Sequence, residues 1–202
     1  MLEVYHRPPD PRRPLVCLDE ASLQLLGEVR EPLPPRPGAP QCIDSEYERK
    51  GVCSYFMLLA PLVGWRQVEL TGTRTAADYA RVLSILSAAW PEADRIVLVQ
   101  DNLNTHQLSS LYEVFPAEQA RSLAQRFEVH YTPKHGSWLN MAEIELGILK
   151  RQCLDRRIDN RSALAHEILS WQDQRNAQAK PYHWQFTTKD ARIKLHRLYP
   201  TV

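Results

Sequence analysis

Asp19, Asp101 and Glu143 are the side chains whose surroundings best suit them for chemistry. Asp19 closes the apolar run Leu15, Val16, Cys17, Leu18, and Asp101 arrives just past Ile96, Val97, Leu98, Val99. Continuous apolar runs of this length are expected of strands buried on both faces. Ligands of open α/β sheets bind at the carboxyl ends of such strands. Glu143 lies on a later segment with helical spacing, which can bring a third acid to the same crevice. Three gathered carboxylates repel one another and raise each other's pKa unless a cation neutralises them. Mg²⁺ meets that need. It is held by a few carboxylates, keeps positions open for water and phosphate oxygens, and in pairs activates an attacking oxygen while stabilising the leaving one. The chemistry implied is in-line phosphoryl transfer. With 24 acidic residues many triples are possible, so spacing alone does not single this one out.

The segment from Thr132 to Leu154 must position the third acid. It opens with a Pro- and Gly-containing loop over Thr132 to Gly136, passes a cap-type Ser137, and takes helical spacing from about Trp138. On that helix Glu143, Gly147 and Lys150 share one face, while Met141, Ile144, Ile148 and Cys153 are expected to cover another. Glycine in a helix interior costs up to about 1 kcal/mol relative to alanine. Gly147 is therefore read either as room for a phosphate-bearing substrate or as a tolerated surface glycine. Glu145 sits about 200° around the helix from Glu143 and cannot share its site. Glu20 follows Asp19 on a strand, points to the opposite face, and is read as structural.

Residues 1–14 hold prolines and arginines without apolar periodicity and read as an N-terminal arm or linker remnant. Residues 15–179 are expected to form one catalytic domain, and residues 180–202 a C-terminal extension. The proline-rich stretch from Glu31 to Pro40 is a loop. Tyr55 to Val63 and Arg66 to Leu70 form a hairpin about Gly64 and Trp65. Thr75 to Asp78 makes a capping-box start for a helix ending before Pro91. Leu103 to Arg126 is helical with a break at Pro116, Phe127 to Tyr131 is a short strand, and Ser162 to Ala179 is an amphipathic helix through Leu164, Ile168 and Trp171. This order predicts an α/β fold, a mixed central sheet with flanking helices.

A chain of 202 residues can bury a substantial core, and 44% hydrophobic with 24% charged residues is ordinary for a globular domain. A formal net charge of +1 excludes a global positive field, so nucleic-acid binding has to rest on local patches. Lys150, Arg151, Arg156, Arg157 and Arg161 form one such strip beyond Glu143. The run from Lys180 to Arg197 reads as either a second contact or an oligomer arm. Cys17, Cys42, Cys53 and Cys153 show no CxxC pair, which argues against structural zinc and fits free thiols in a reducing cytosol, with Cys17 and Cys153 in the core. Nothing resembles a signal peptide or a membrane span, so a cytoplasmic protein is expected.

The local words around the three acids carry a further signal. LDE at Leu18 to Glu20, QDNLNTH at Gln100 to His106, and TPKHGSWLNMAE at Thr132 to Glu143 resemble, in order, the three signatures of DDE transposases of the mariner superfamily, closest to the bacterial insertion-sequence-630 group. The resemblance covers nearly the whole chain from Leu15 onward. It implies an RNase H-like fold, Mg²⁺ or Mn²⁺ as cofactor with two ions, and cleavage of DNA followed by joining of the freed 3′-hydroxyl. Asp19, Asp101 and Glu143 fall on the catalytic and metal-binding acids. Asn102, His106, Lys134, His135, Trp138, Asn140, Lys150 and Arg151 are the expected DNA-contacting set. His106 either holds Asp101 or meets a phosphate or a local backbone group, and Trp138 either stacks on a base or packs in the core. The family carries an N-terminal helix-turn-helix region that reads the element's ends, whereas this sequence opens on its arm, and the interval between Asp101 and Glu143 is longer than usual. The expected partners are DNA ends and target DNA, a second copy in a homodimer, and a separately encoded helix-turn-helix domain, as in a fragment or the second frame of a split element. The rival readings are an RNase H-like nuclease without strand transfer and a silent DNA-binding or oligomerisation remnant.

Overall fold

The protein is described from a computed structural model, which covers residues 2–40, 42, 44–134, 136–182 and 184–194. Five strands form one sheet: β1 (Leu15–Glu28), β2 (Tyr47–Ala60), β3 (Trp65–Thr71), β4 (Ile96–Gln100) and β5 (Phe127–Tyr131), in the order β3-β2-β1-β4-β5. The first three form an antiparallel meander, and β4 and β5 run parallel to β1. Among the described residues six α-helices accompany the sheet: α1 (Ala76–Ala89), α2 (Leu111–Val114), α3 (Ala117–Gln125), α4 (Met141–Leu149), α5 (Arg161–Gln178) and α6 (Thr188–Lys194). The expected mixed α/β architecture is the one found.

The period-two alternation of the strands divides the core into two halves. Val16, Leu18, Phe56, Leu58, Ile96 and Leu98 face α1, α2 and α3, meeting Tyr79, Leu83, Leu86, Leu111 and Ala120. Cys17, Met57, Leu59, Val97 and Val99 face the other way, onto Leu146, Leu149, Leu164, Ile168 and Trp171 of α4 and α5. Because β1 and β4 are covered on both sides, their apolar runs are continuous. The Thr75–Asp78 capping box and the Pro116 break occur as the sequence predicts. At the β2–β3 turn Gly64 has φ 68°, and a Cβ there would lie 2.6 Å from the Ala179 and Lys180 backbone, so glycine is needed for both conformation and close approach.

Five expectations need correction. The segment read as helical from Leu103 becomes helical only at Leu108, with a 3-10 turn ahead of α2. β1 does not stop at Asp19, and β2 starts at Tyr47 rather than Tyr55, because antiparallel pairing from Ala21↔Tyr55 to Glu28↔Tyr47 prolongs the hairpin through residues without an apolar signal. Residues 2–6, read as part of an arm, form a 3-10 helix that buries Leu2, Val4 and Tyr5 against the core, a unit too short to show periodicity. The helix carrying Glu143 is capped by Asn140, not Ser137, with Ser137–Leu139 a preceding 3-10 turn. Its buried side is Met141, Ala142, Glu145, Leu146 and Leu149, leaving Ile144 48% exposed and Ile148 partly buried, with Glu145 turned inward to an ion pair in the core.

Candidate active site

Parallel pairing between β1 and β4 ends at Cys17↔Val99. Asp19 lies just past that point in the middle of β1, and Asp101 directly follows β4, so the two carboxylates leave neighbouring strands at the same sheet edge. Glu143 stands exposed in the first turn of α4, on the side of the sheet that Cys17 and Val99 face. Asn140 sets where that turn begins. Its Nδ2 donates to Leu18 O (2.8 Å) while its Oδ1 accepts from Ala142 N (3.1 Å), tying α4 to the backbone beside Asp19. Tyr5 Oη donates to Leu139 O (2.9 Å) and steadies the preceding turn.

Burial is the main cause that pushes the Asp19 carboxyl up to about 7; a hydrogen bond from Glu20 N opposes it, and the charges of Glu20, Asp101 and Glu143 add to the rise. Asp19 therefore feels the charge of both other acids. The donors are hard carboxylate oxygens, a set that suits a hard divalent ion, and such an ion would remove the repulsion.

Another cluster lies close by. Asp101 Oδ1 is 2.5 Å from His106 Nδ1, and Glu20 Oε2 is 3.2 Å from His106 Nε2. Burial lowers the pKa of this imidazole, but its hydrogen bond to Asp101 and the neighbouring carboxylates of Glu20 and Asp101 outweigh burial and push it up to about 9. The three ligand atoms of Glu20, Asp101 and His106 lie within 4.8 Å of one another. An imidazole offers only one nitrogen to an ion, and here the two nitrogens serve different acids. The group is a carboxylate–imidazole–carboxylate chain rather than a metal cage, joined by a hydrogen bond between His106 and Asp101 and an ion-pair contact between His106 and Glu20. Glu20 does point away from Asp19, as strand parity requires, but into this chain.

Of the other expected residues, some are exposed and some are buried. Asn102, Lys134, Lys150 and Arg151 are exposed, with Lys150 and Arg151 leading a π-helical turn, Lys150–Leu154, that extends α4. Asn140 is 1% exposed with both amide groups bonded, so it serves as a cap and not as a phosphate contact. His106 is likewise buried. Trp138 is half-buried, edge-on to Phe186 at 5.1 Å and beneath Lys194 Nζ at 4.9 Å, which favours packing over base stacking. His135 lies outside the described residues. Around Gly147 a Cβ would meet only Arg151 Nη1, at 3.8 Å, so the helix surface there is open. Of the basic strip, Arg156 pairs with Glu167, Arg157 with Glu28, and Arg161 donates to Leu70 O.

Glu145 is buried within a polar network. Arg66 Nε lies 2.9 Å and Arg175 Nη2 3.0 Å from Glu145 Oε1, and Tyr182 Oη donates to Oε2 at 2.5 Å. Cys17 and Cys153 are buried as expected, and Cys53 is buried too. No helix among the described residues is long and apolar enough to cross a membrane.

Residues 14–165 match the DDE superfamily endonuclease family. Among solved structures the chain is similar to the Mos1 mariner paired-end complex with Mn, at 19% identity and TM-score 0.55 over 86% of this chain and 52% of that one. It is also similar to the Mos1 strand transfer complex (17%, TM-score 0.56, 85% and 50%) and to the Mos1 transposase paired-end complex with left transposon end (20%, 0.56, 85% and 51%). These likenesses establish the RNase H-like fold. The chain spans about half the length of the Mos1 chains it matches. No curated protein matches it.

Proposed function

Because the chain belongs to the DDE superfamily of endonucleases, we propose that it is the catalytic domain of a transposase of the mariner superfamily, insertion-sequence-630 group, which cuts DNA at element ends and joins the freed 3′-hydroxyl to target DNA. Asp19, Asp101 and Glu143 are its catalytic residues and hold Mg²⁺ or Mn²⁺, two ions in the working complex. The bound ion supplies Lewis-acid stabilisation of the phosphate's developing charge and a more acidic attacking hydroxyl or water. The chain itself contributes position. Asp19 and Asp101 are fixed by adjacent strands, Glu143 by a helix whose cap is bonded to the backbone next to Asp19, and exposed Lys150, Arg151, Lys134 and Asn102 grip the DNA backbone. We further propose action as a homodimer, with a separately encoded helix-turn-helix domain reading the element's ends, in the cytoplasm where the DNA lies.

The observation that supports this reading is that Asp19 and Asp101 leave neighbouring strands at one sheet edge, while Glu143 stands in the first turn of a helix that Asn140 ties to the backbone beside Asp19. The test is nicking of supercoiled plasmid, and joining of a 3′-hydroxyl oligonucleotide to it, with Mg²⁺ or Mn²⁺. Asp19→Asn, Asp101→Asn and Glu143→Gln should each lower both reactions by at least about a thousandfold. Cleavage without joining would make the protein a nuclease, and metal-dependent cleavage that survives Glu143→Gln would remove the third acid.

A further inference from the structure

His106 is held on every side. Its ring stacks on Tyr79 with centroids 4.9 Å apart, Tyr79 Oη donates to Gln100 Oε1 (2.8 Å), and Gln100 Nε2 donates back to His106 O (2.9 Å). Its backbone N–H donates to Leu103 O at 2.9 Å, closing the loop that follows Asp101. The ring itself is 2% exposed and spans the gap between Asp101 and Glu20, whose side chain is only 6% exposed. A buried arrangement with this many fixed contacts leaves the imidazole a single orientation. It therefore presents Nδ1–H to one oxygen of Asp101, Oδ1, and leaves Oδ2 without that donor.

We propose that Glu20 and His106 are positioning residues for the candidate ion site: Glu20, anchored on the face of β1 opposite Asp19, orients His106, and His106 fixes the Asp101 carboxylate so that Oδ2 is the oxygen offered to the divalent ion. The inference rests on reading Asp101 as an ion ligand. Without the chain, the Asp101 carboxylate rotates about its terminal torsion, which is broad and two-fold, and ordering it becomes part of the cost of binding. Partners behind metal ligands typically change affinity by about 10–100-fold.

The two imidazole nitrogens can be replaced separately. The amide nitrogen of Asn falls near Nδ1, and that of Gln near Nε2. His106→Asn thus retains a donor for Asp101, whereas His106→Gln retains one only for Glu20. Mn²⁺ affinity is measured by calorimetry on the full chain, alongside melting temperature in chelator. Mn²⁺ binding within about threefold of wild type in His106→Asn, together with a loss of about tenfold or more in His106→Gln at similar melting temperature, is the expected result. Equal affinity in wild type and both variants overturns the inference alone, as does an equal loss in both that follows their loss of stability. If neither variant folds, Glu20→Ala decides: a Kd raised at least about threefold supports the chain, and an unchanged Kd overturns it. Absence of Mn²⁺ uptake by wild type overturns the reading of Asp101 as a ligand, and this inference with it.

Discussion

Glu143 and Glu145 stand two residues apart on α4 and meet opposite fates. Glu143 is exposed beside the candidate ion site, while Glu145 is 1% exposed and neutralises Arg66, itself 2% exposed, together with Arg175. Asn176 completes the arrangement: its Oδ1 accepts from Arg66 N (2.9 Å) and its Nδ2 donates to Arg66 O (2.8 Å). Removing one member of a buried pair leaves an uncompensated charge, which costs about 3–5 kcal/mol. Glu145→Ala should therefore lower the unfolding free energy by about that amount, measured by denaturant titration. Loss of activity in that variant would report on folding, not on chemistry. A change below about 1 kcal/mol would mean that the network contributes little. The separation of the two acids was readable from the 3.6-residue period. Glu145's partner was half readable: Arg66 shares strand parity with the inward-facing Val68, but nothing local indicates that an arginine at that position finds a carboxylate from another helix. Glu20's tie to His106 was hidden for the same reason, since parity gives the face and not the neighbour.

Among the elements, those with continuous or periodic apolar runs were legible: the starts of β1 and β4, the helix after Thr75, and the amphipathic α5. The extension of β1 and β2 was not. Tyr47 to Val52 is exposed and polar apart from its ends, and it is a strand only because β1 lies alongside it. The N-terminal segment was equally opaque, although its anchoring is simple electrostatics. Arg7 and Arg13 both reach Glu128 on β5, as does His130. Hydrogen bonds from Arg7, then His130 and Arg13, hold the Glu128 carboxyl down at about 2. A carboxylate whose folded pKa is depressed stabilises the fold above its unfolded pKa of 4.5 and loses that contribution as pH falls through about 2. The two arginines that hold it are 45% and 48% exposed, so solvent screening keeps the effect to about 1 kcal/mol or less. Glu128→Gln should melt a few degrees below wild type at pH 7, and the two curves should draw together as pH falls below about 4.5. A difference that stays constant from pH 7 to pH 3 would assign the loss to packing instead of charge.

At the scale of the whole molecule, charge is the quantity that relates the fold to the proposed DNA binding. The net charge is only +1, so affinity has to come from cations left over after internal pairing. The sequence displays a strip of five basic residues beyond Glu143, but it cannot show which are already engaged. The fold shows it: Arg156 and Arg157 are committed to Glu167 and Glu28, with Arg157 also donating to Asp44 O (2.7 Å) and Glu46 O (3.0 Å), while Arg161 holds the end of β3. Lys150 and Arg151 remain exposed and form no ion pair among the described residues, directly after the helix that carries Glu143. Each phosphate neutralised by a basic side chain releases condensed counterions, contributing about 0.9 to the slope of log affinity against log salt. Replacing both Lys150 and Arg151 with Glu should reduce the magnitude of that slope by about 1–2 and weaken binding most at low salt, with little change in melting temperature. Arg156→Glu combined with Arg157→Glu should do the reverse, lowering the melting temperature through broken ion pairs while moving the slope less. Measured by fluorescence anisotropy on a duplex over a salt series, a slope unchanged by the Lys150 and Arg151 reversals would place the DNA path on another face of the molecule.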